Sequence, residues 1–230
     1  MVGFALLVVL ATANRTNLAL GRAYQWKAAA LFASIAAFVT LRVGPHHPFP
    51  RFGLANQTTT LRAVIVALVA ALVGEPPTSA AATAAVIGAL VVLVLDSVDG
   101  WVARRSRLAS GFGARFDMEI DALLILALAI LTWQHGKAGV WVLASGLIRY
   151  VFVTGGWLFP WLACPLPPRF RRQLVCVVQI AGLTLAMVPA IAPPWSSTLA
   201  ALALLALLYS FSVDVLWLAR TKNHEPRTKD

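Results

Sequence analysis

Six long apolar runs fix the kind of fold this chain can adopt. They lie at about 61–74, 79–97, 118–134, 138–159, 173–191 and 197–218. An apolar helix of roughly 20 residues crosses the hydrocarbon core of a bilayer. In lipid a helix satisfies its own backbone N–H and C=O groups, which a lone strand cannot do. Strong breaks separate the runs: Gly74-Glu75-Pro76-Pro77, four prolines between Pro160 and Pro168, and Ala192-Pro193-Pro194. Proline lacks the N–H and clashes with the preceding turn, so a helix ends there. The expected fold class is therefore an all-α integral membrane protein with six core transmembrane helices. The first run is short and is expected to begin earlier, as an interfacial helix.

Composition agrees. Of 230 residues 60% are hydrophobic, against about 45–50% in soluble domains. The length leaves no room for a separate soluble domain.

Two more apolar runs, at 1–13 and 28–43, precede the six. The first lacks a basic leader, and Asn14-Arg15-Thr16-Asn17 is a poor cleavage context, so a signal peptide is not expected. Pro45, Pro48 and Pro50 are expected to exclude a regular helix over 44–51. The favoured arrangement is a hairpin of two extra N-terminal hydrophobic helices. It returns the chain to its starting side, but it leaves Arg15, Arg22 and Lys27 on the far side.

The net charge of +10 would suggest nucleic acid in a soluble protein. Here the basic residues fall between apolar runs, which is the pattern of cytoplasmic loops facing anionic lipid. Nucleic-acid binding is not expected. Arg104, Arg105, Arg107 and Arg115 mark one such connection; Arg169, Arg171 and Arg172 mark another; Arg220, Lys222, Arg227 and Lys229 mark the C-terminal tail. The bias places these connections and Arg62 in the cytoplasm, and with them the acidic stretch of the chain. The expected location is a multi-pass position in the bacterial inner membrane.

That stretch holds Asp96, Asp99, Asp117 and Asp121. An acid at a membrane boundary is costly and marks a functional site by default. Asp96 and Asp99 are three apart, and Asp117 and Asp121 four apart, so each pair shares one face of a helix. The first pair is expected to end one helix and the second to begin the next, antiparallel one. Four close carboxylates cannot all stay ionised unless arginine, a shared proton or a divalent metal compensates them. An oxygen-only donor set favours Mg²⁺, Mn²⁺ or Ca²⁺ over zinc. A pair of such ions suits an in-line phosphoryl displacement. Gly100 and Ala103 leave space beside the acids, Gly111 and Gly113 are expected to loosen the connecting loop, and Arg104 or Arg107 can grip a phosphate. The site reads as one for a metal-bound diphosphate.

The spacing Asp-x2-Asp-Gly-x2-Ala-Arg-x8-Gly-x3-Asp-x3-Asp resembles the motif of the CDP-alcohol phosphotransferases (CDP-alcohol phosphatidyltransferases). Asp96, Asp99, Gly100, Ala103, Arg104, Gly113, Asp117 and Asp121 fill its fixed positions. Asn56-x2-Thr59-x2-Arg62 is similar to a second family motif, with Ala55 where the family often has proline. The resemblance divides the chain into N-terminal helices over 1–54, a family membrane domain over 55–220 and a basic tail over 221–230. It implies transfer of a phosphatidyl group from a CDP-linked lipid, most often CDP-diacylglycerol, to an alcohol, with release of CMP. By the same resemblance Asp96, Asp99 and Asp117 hold metal. Asp121 is implied as the base, with metal contact as well. Asn56, Thr59, Gly100, Ala103, Arg104 and Gly113 contact the CDP part. Two Mg²⁺ or Mn²⁺ ions and a homodimer are also implied. The rival reading is a cation transporter or channel with an aspartate-lined path.

Further polar residues have competing explanations. Arg149 lies in an apolar run and needs an anion. With Arg169, Arg171 or Arg172 it can form an acceptor-phosphate pocket, which would suit glycerol 3-phosphate or inositol phosphate. Lipid headgroup contact is the plainer role for that arginine cluster. Glu119 is expected to pair with an arginine or to lie in an interface. Asp214 is expected to be structural, with Arg220 as the nearby cation. Cys164 and Cys176 lack metal-ligand spacing and are expected to be small apolar fillers. His46 and His47 are adjacent, which makes a poor joint metal site. The tryptophans fall near span ends and read as interface anchors.

Overall fold

The computed structural model describes residues 2–46, 54–106, 111–164 and 170–224. These residues form eight α-helices: α1 (Val2–Asn17), α2 (Arg22–His46), α3 (Leu54–Ala71), α4 (Ser79–Ser106), α5 (Gly111–Gln134), α6 (Ala144–Leu158), α7 (Phe170–Met187) and α8 (Trp195–His224). Short 3₁₀ turns, Val140–Leu143 and Pro160–Ala163, lead into and out of α6. No strand occurs among the described residues.

The expected breaks fall where the prolines put them. Helix α3 stops before Gly74, whose φ of +79° is open to glycine at little cost. Helix α4 starts after Pro77, and the Thr78 hydroxyl accepts the Ala81 N–H at 3.1 Å as its cap. Two boundaries differ from expectation. Helix α2 continues through Pro45 to His46, because a proline in the last turn forfeits only one hydrogen bond. Helices α4 and α5 run on through the polar stretch to Ser106 and from Gly111. The arginines, alanine and methionine there are good helix formers, and they prevail over the loop-like charge pattern.

Among the described residues four stretches are long and apolar enough to cross a membrane: Ser79–Ser97, Val140–Leu158, Phe170–Met187 and Trp195–Arg220. Thr60–Ala71 in α3 is a shorter apolar stretch. Helices α3 and α5 form the centre. Val64, Val66, Ala67 and Ala71 on α3 are fully buried, as are Leu124, Leu128 and Leu131 on α5. The outer helices turn apolar residues outward, among them Val94, Val151, Leu202 and Leu205. Such an exterior suits lipid, not water. Trp157 and Trp195 stand exposed at helix ends, as interface anchors would.

Small residues set the closest helix approaches. A Cβ at Gly146 would lie 2.6 Å from the Leu126 Cα, and one at Gly182 would lie 2.8 Å from the Ala203 Cβ. Helices α5 and α6, and α7 and α8, therefore meet almost backbone to backbone, as small residues allow in a membrane bundle.

The N-terminal hairpin is fastened at the end of the bundle away from the aspartates. Lys27 Nζ lies 2.5 Å from the buried Glu75 and donates to the Val73 carbonyl at 2.9 Å. The Gly21 N–H donates to the other Glu75 oxygen at 3.0 Å. Tyr24 donates to the Leu68 carbonyl, and Arg15 to Gln25. At the same end Lys137 donates to the carbonyls of Val188, Pro189 and Ile191. Burial, and then the Lys137 charge, hold His135 below the usual histidine range. At this end Lys27 is thus paired with Glu75, while Lys137 is held by carbonyls.

Gly146→Ala should force α5 and α6 apart and cost about 1–3 kcal/mol, the range for overpacking. Unfolding by denaturing detergent checks this: the midpoint should fall, and an unchanged midpoint contradicts the close approach.

Candidate active site

The site forms where three helices converge. Helix α4 carries Asp96 and helix α5 carries Asp117 and Asp121, one turn apart on one face. One carboxylate oxygen from each of the three can be chosen so that all lie within 4.8 Å of one another. Asp99 lies on α4 one turn beyond Asp96, but its side chain is outside the described residues. The side chains of Asn56, Thr59, Ala103 and Arg104, with Gly100 and Gly113, are likewise outside the description. Their backbones belong to α3, α4 and α5. Arg169, His47 and the 107–110 segment are outside it altogether. Gly111 and Gly113 are helical residues in the first turn of α5, not a loose loop.

Between the acids sits Arg62 from α3, with no exposed surface. Its Nη1 lies 2.9 Å from Asp96 Oδ1 and also pairs with Asp117 Oδ1, while its Nη2 pairs with Asp121 Oδ1. One planar guanidinium thus spans three carboxylates from two helices, a geometry that suits arginine and not lysine. The sequence pointed to Arg62 as a motif residue and a cytoplasmic charge, not as a member of the acidic cluster. The available signal was its spacing: Asn56, Thr59 and Arg62 recur every three residues, on one side of a helix.

Cys176 corrects another expectation. It is not only a filler, because its Sγ donates to Asp121 Oδ2 at 3.7 Å from α7. Nothing in the spacing of the two cysteines points to this contact. Cys164 is exposed.

The remaining charged residues fall into two groups. Arg149 Nη2 lies 2.5 Å from Glu119 Oε1, so Glu119 has the arginine partner expected of it. Arg171 donates to the Ser210 carbonyl and hydroxyl at 2.6 and 2.8 Å, and its Nη2 lies 2.5 Å from Asp214 Oδ1. Arg172 Nε lies 3.4 Å from Asp214 Oδ2. Asp214 thus faces the arginines of α7, not Arg220 on its own helix. Antiparallel packing of α7 on α8 puts the start of one beside the end of the other. Arg149 and the α7 arginines therefore hold separate acids.

Three convergent carboxylates suit a hard divalent cation, which takes oxygen ligands. Along α5 the acids give way at once to buried Leu124, Leu128 and Leu131. A file of polar groups for ion passage does not continue along that helix.

Residues 52–218 match the family model of the CDP-alcohol phosphatidyltransferases, and the chain belongs to that family. No curated protein and no solved structure matches the chain. Family and helices together make this an integral membrane protein that transfers a substituted phosphate group in phospholipid synthesis. The family depends on divalent metal, and the aspartate group can bind it.

Asp214→Ala would leave Arg171 and Arg172 facing each other without their acid. The expected loss is about 2–3 kcal/mol, discounted from buried-pair values because both arginines are partly exposed. Arg171→Met combined with Asp214→Leu should lose less than the single change. A double-mutant cycle on unfolding midpoints measures the coupling, and additive losses contradict the pairing.

Proposed function

We propose that this member of the CDP-alcohol phosphatidyltransferase family moves a phosphatidyl group from CDP-diacylglycerol to a small alcohol acceptor. The observation that carries the reading is the convergence of Asp96, Asp117 and Asp121 at one point, within a complete family motif. Asp96, Asp99, Asp117 and Asp121 hold two divalent ions, Mg²⁺ or Mn²⁺. Bound metal neutralises charge on the diphosphate.

The chain's own residues do the rest. Asn56, Thr59, Gly100, Ala103, Arg104 and Gly113 hold the CDP part. Asp121 takes the proton from the acceptor hydroxyl. The acceptor oxygen then bonds to the lipid-side phosphorus, and the bond from that phosphorus to the CMP oxygen breaks. CMP leaves with the electron pair. Positioning and charge complementarity supply most of the acceleration.

The lipid chains lie in the bilayer beside α5. A mainly apolar cleft of about 290 Å³, lined by Leu31 and Ile35 of α2 and by Phe116, Ile120 and Leu123 of α5, offers room for part of one. The acceptor carries a phosphate of its own, as glycerol 3-phosphate or an inositol phosphate does. Arg171 and Arg172, beside Asp214, bring positive charge to receive it. Arg169, close to them in sequence, adds to this charge, whereas Arg149 is taken up by Glu119. The acidic end faces the cytoplasm of a bacterial inner membrane, where a soluble nucleotide product can leave. The arginines that flank the acidic stretch and open α7 support this orientation. The active form is a homodimer.

The deciding assay mixes purified protein, CDP-diacylglycerol and Mg²⁺ or Mn²⁺ with a panel of acceptors and reads CMP release. A phosphorylated acceptor should give turnover, whereas serine should not. Asp121→Asn should lower turnover by about 10²–10⁴-fold, the usual weight of a general base, while CDP-lipid binding is retained. Normal turnover in that variant would sink the base assignment.

A further inference from the structure

The structure contains a feature that the transfer chemistry above does not use. The acids proposed above to receive metal already surround a cation that the chain supplies. Arg62 is fully buried, comes from a helix that bears none of the acids, and touches all three described carboxylates. We infer that Arg62 is a resident counter-cation: it holds the carboxylates together while the site lacks metal and lowers their affinity for the metal they receive.

The argument is one of charge and geometry. Asp96, Asp117, Asp121 and the guanidinium sum to −2, so Arg62 cancels one of the three charges that draw metal. Without Arg62 the same groups sum to −3 at close range, where like charges strongly disfavour one another. Removing a buried partner leaves that charge uncompensated. The metal-free chain is then less stable, and a divalent cation is drawn in more strongly. Competition acts in the same direction. The guanidinium occupies the Oδ1 atoms of Asp96, Asp117 and Asp121, so an arriving ion must share those carboxylates with it. Lysine at the same position keeps the charge but is a shorter point donor, so it does not reproduce the contact that two guanidinium nitrogens make with the three carboxylates. Arg62 is a positioning residue in this scheme, acting through the aspartates.

The inference rests on the reading of the aspartates as metal ligands, and its test separates the two. Full-length protein in detergent is stripped with chelator and titrated with Mn²⁺ alone, and thermal midpoints are recorded without substrate. In the native chain Mn²⁺ should raise the midpoint, as any ligand of the folded state does. In Arg62→Met the metal-free midpoint should fall, and half-saturation should move to about tenfold lower Mn²⁺, the lower end of what one neighbouring charge does. Arg62→Lys should lie between the two. If Arg62→Met does not accumulate as folded protein, the comparison of Arg62→Lys with the native chain carries the test. Unchanged or weaker Mn²⁺ binding in the folded variants overturns the role of Arg62. Absence of any Mn²⁺ response in the native chain overturns the metal reading, and this inference with it.

Discussion

The contact of Arg62 with Asp96, Asp117 and Asp121 is the constraint on which the acidic end of this molecule depends. A membrane bundle gains little from apolar contact between helices, because lipid tails are equally apolar. Specificity must come from close packing and from polar groups that have one good arrangement. Here a single side chain from α3 ties α4 to α5 through three charges. The central helices can then carry acids into a region that otherwise excludes them. The helices outside this knot are held differently, by glycines that let backbones approach and by ion pairs near the helix ends.

Much of this was legible in the sequence, and the parts that were not share a cause. The apolar runs and the prolines announce a helical membrane protein, and the aspartate spacings announce a shared face. Those are local signals, carried by residues three or four apart. What stayed hidden depends on partners far away in the chain. Arg62 looks like a boundary charge until α4 and α5 are folded against it. Asp214 has a cation close by in sequence, Arg220, yet its partners are Arg171 and Arg172 across a helix interface. Cys176 has no motif, and only packing brings it to Asp121.

The polar stretch misleads in the opposite sense. Its density of charge between Asp96 and Asp117 reads as a loop, but helix propensity and the bundle keep the described part of it helical at both ends. The acids therefore sit within helices and not at their tips. A rigid helix fixes the direction of a carboxylate better than a loop does, which matters for a site that must hold oxygens a few ångströms apart.

The N-terminal hairpin shows how a counting rule and a structure can disagree without conflict. In the proposed orientation Arg15, Arg22 and Lys27 lie on the side where the charge rule would not put them. The rule counts charges, however, and does not see Glu75 beneath Lys27. This arrangement has a consequence for biosynthesis. Gly21 meets Glu75 across 54 residues of chain. At about 5–20 residues per second, that partner leaves the ribosome roughly 3–10 s later. During that interval Lys27 and the Gly21 N–H lack the carboxylate that later holds them. Only when the turn between α3 and α4 arrives can the first two helices be fastened to the bundle.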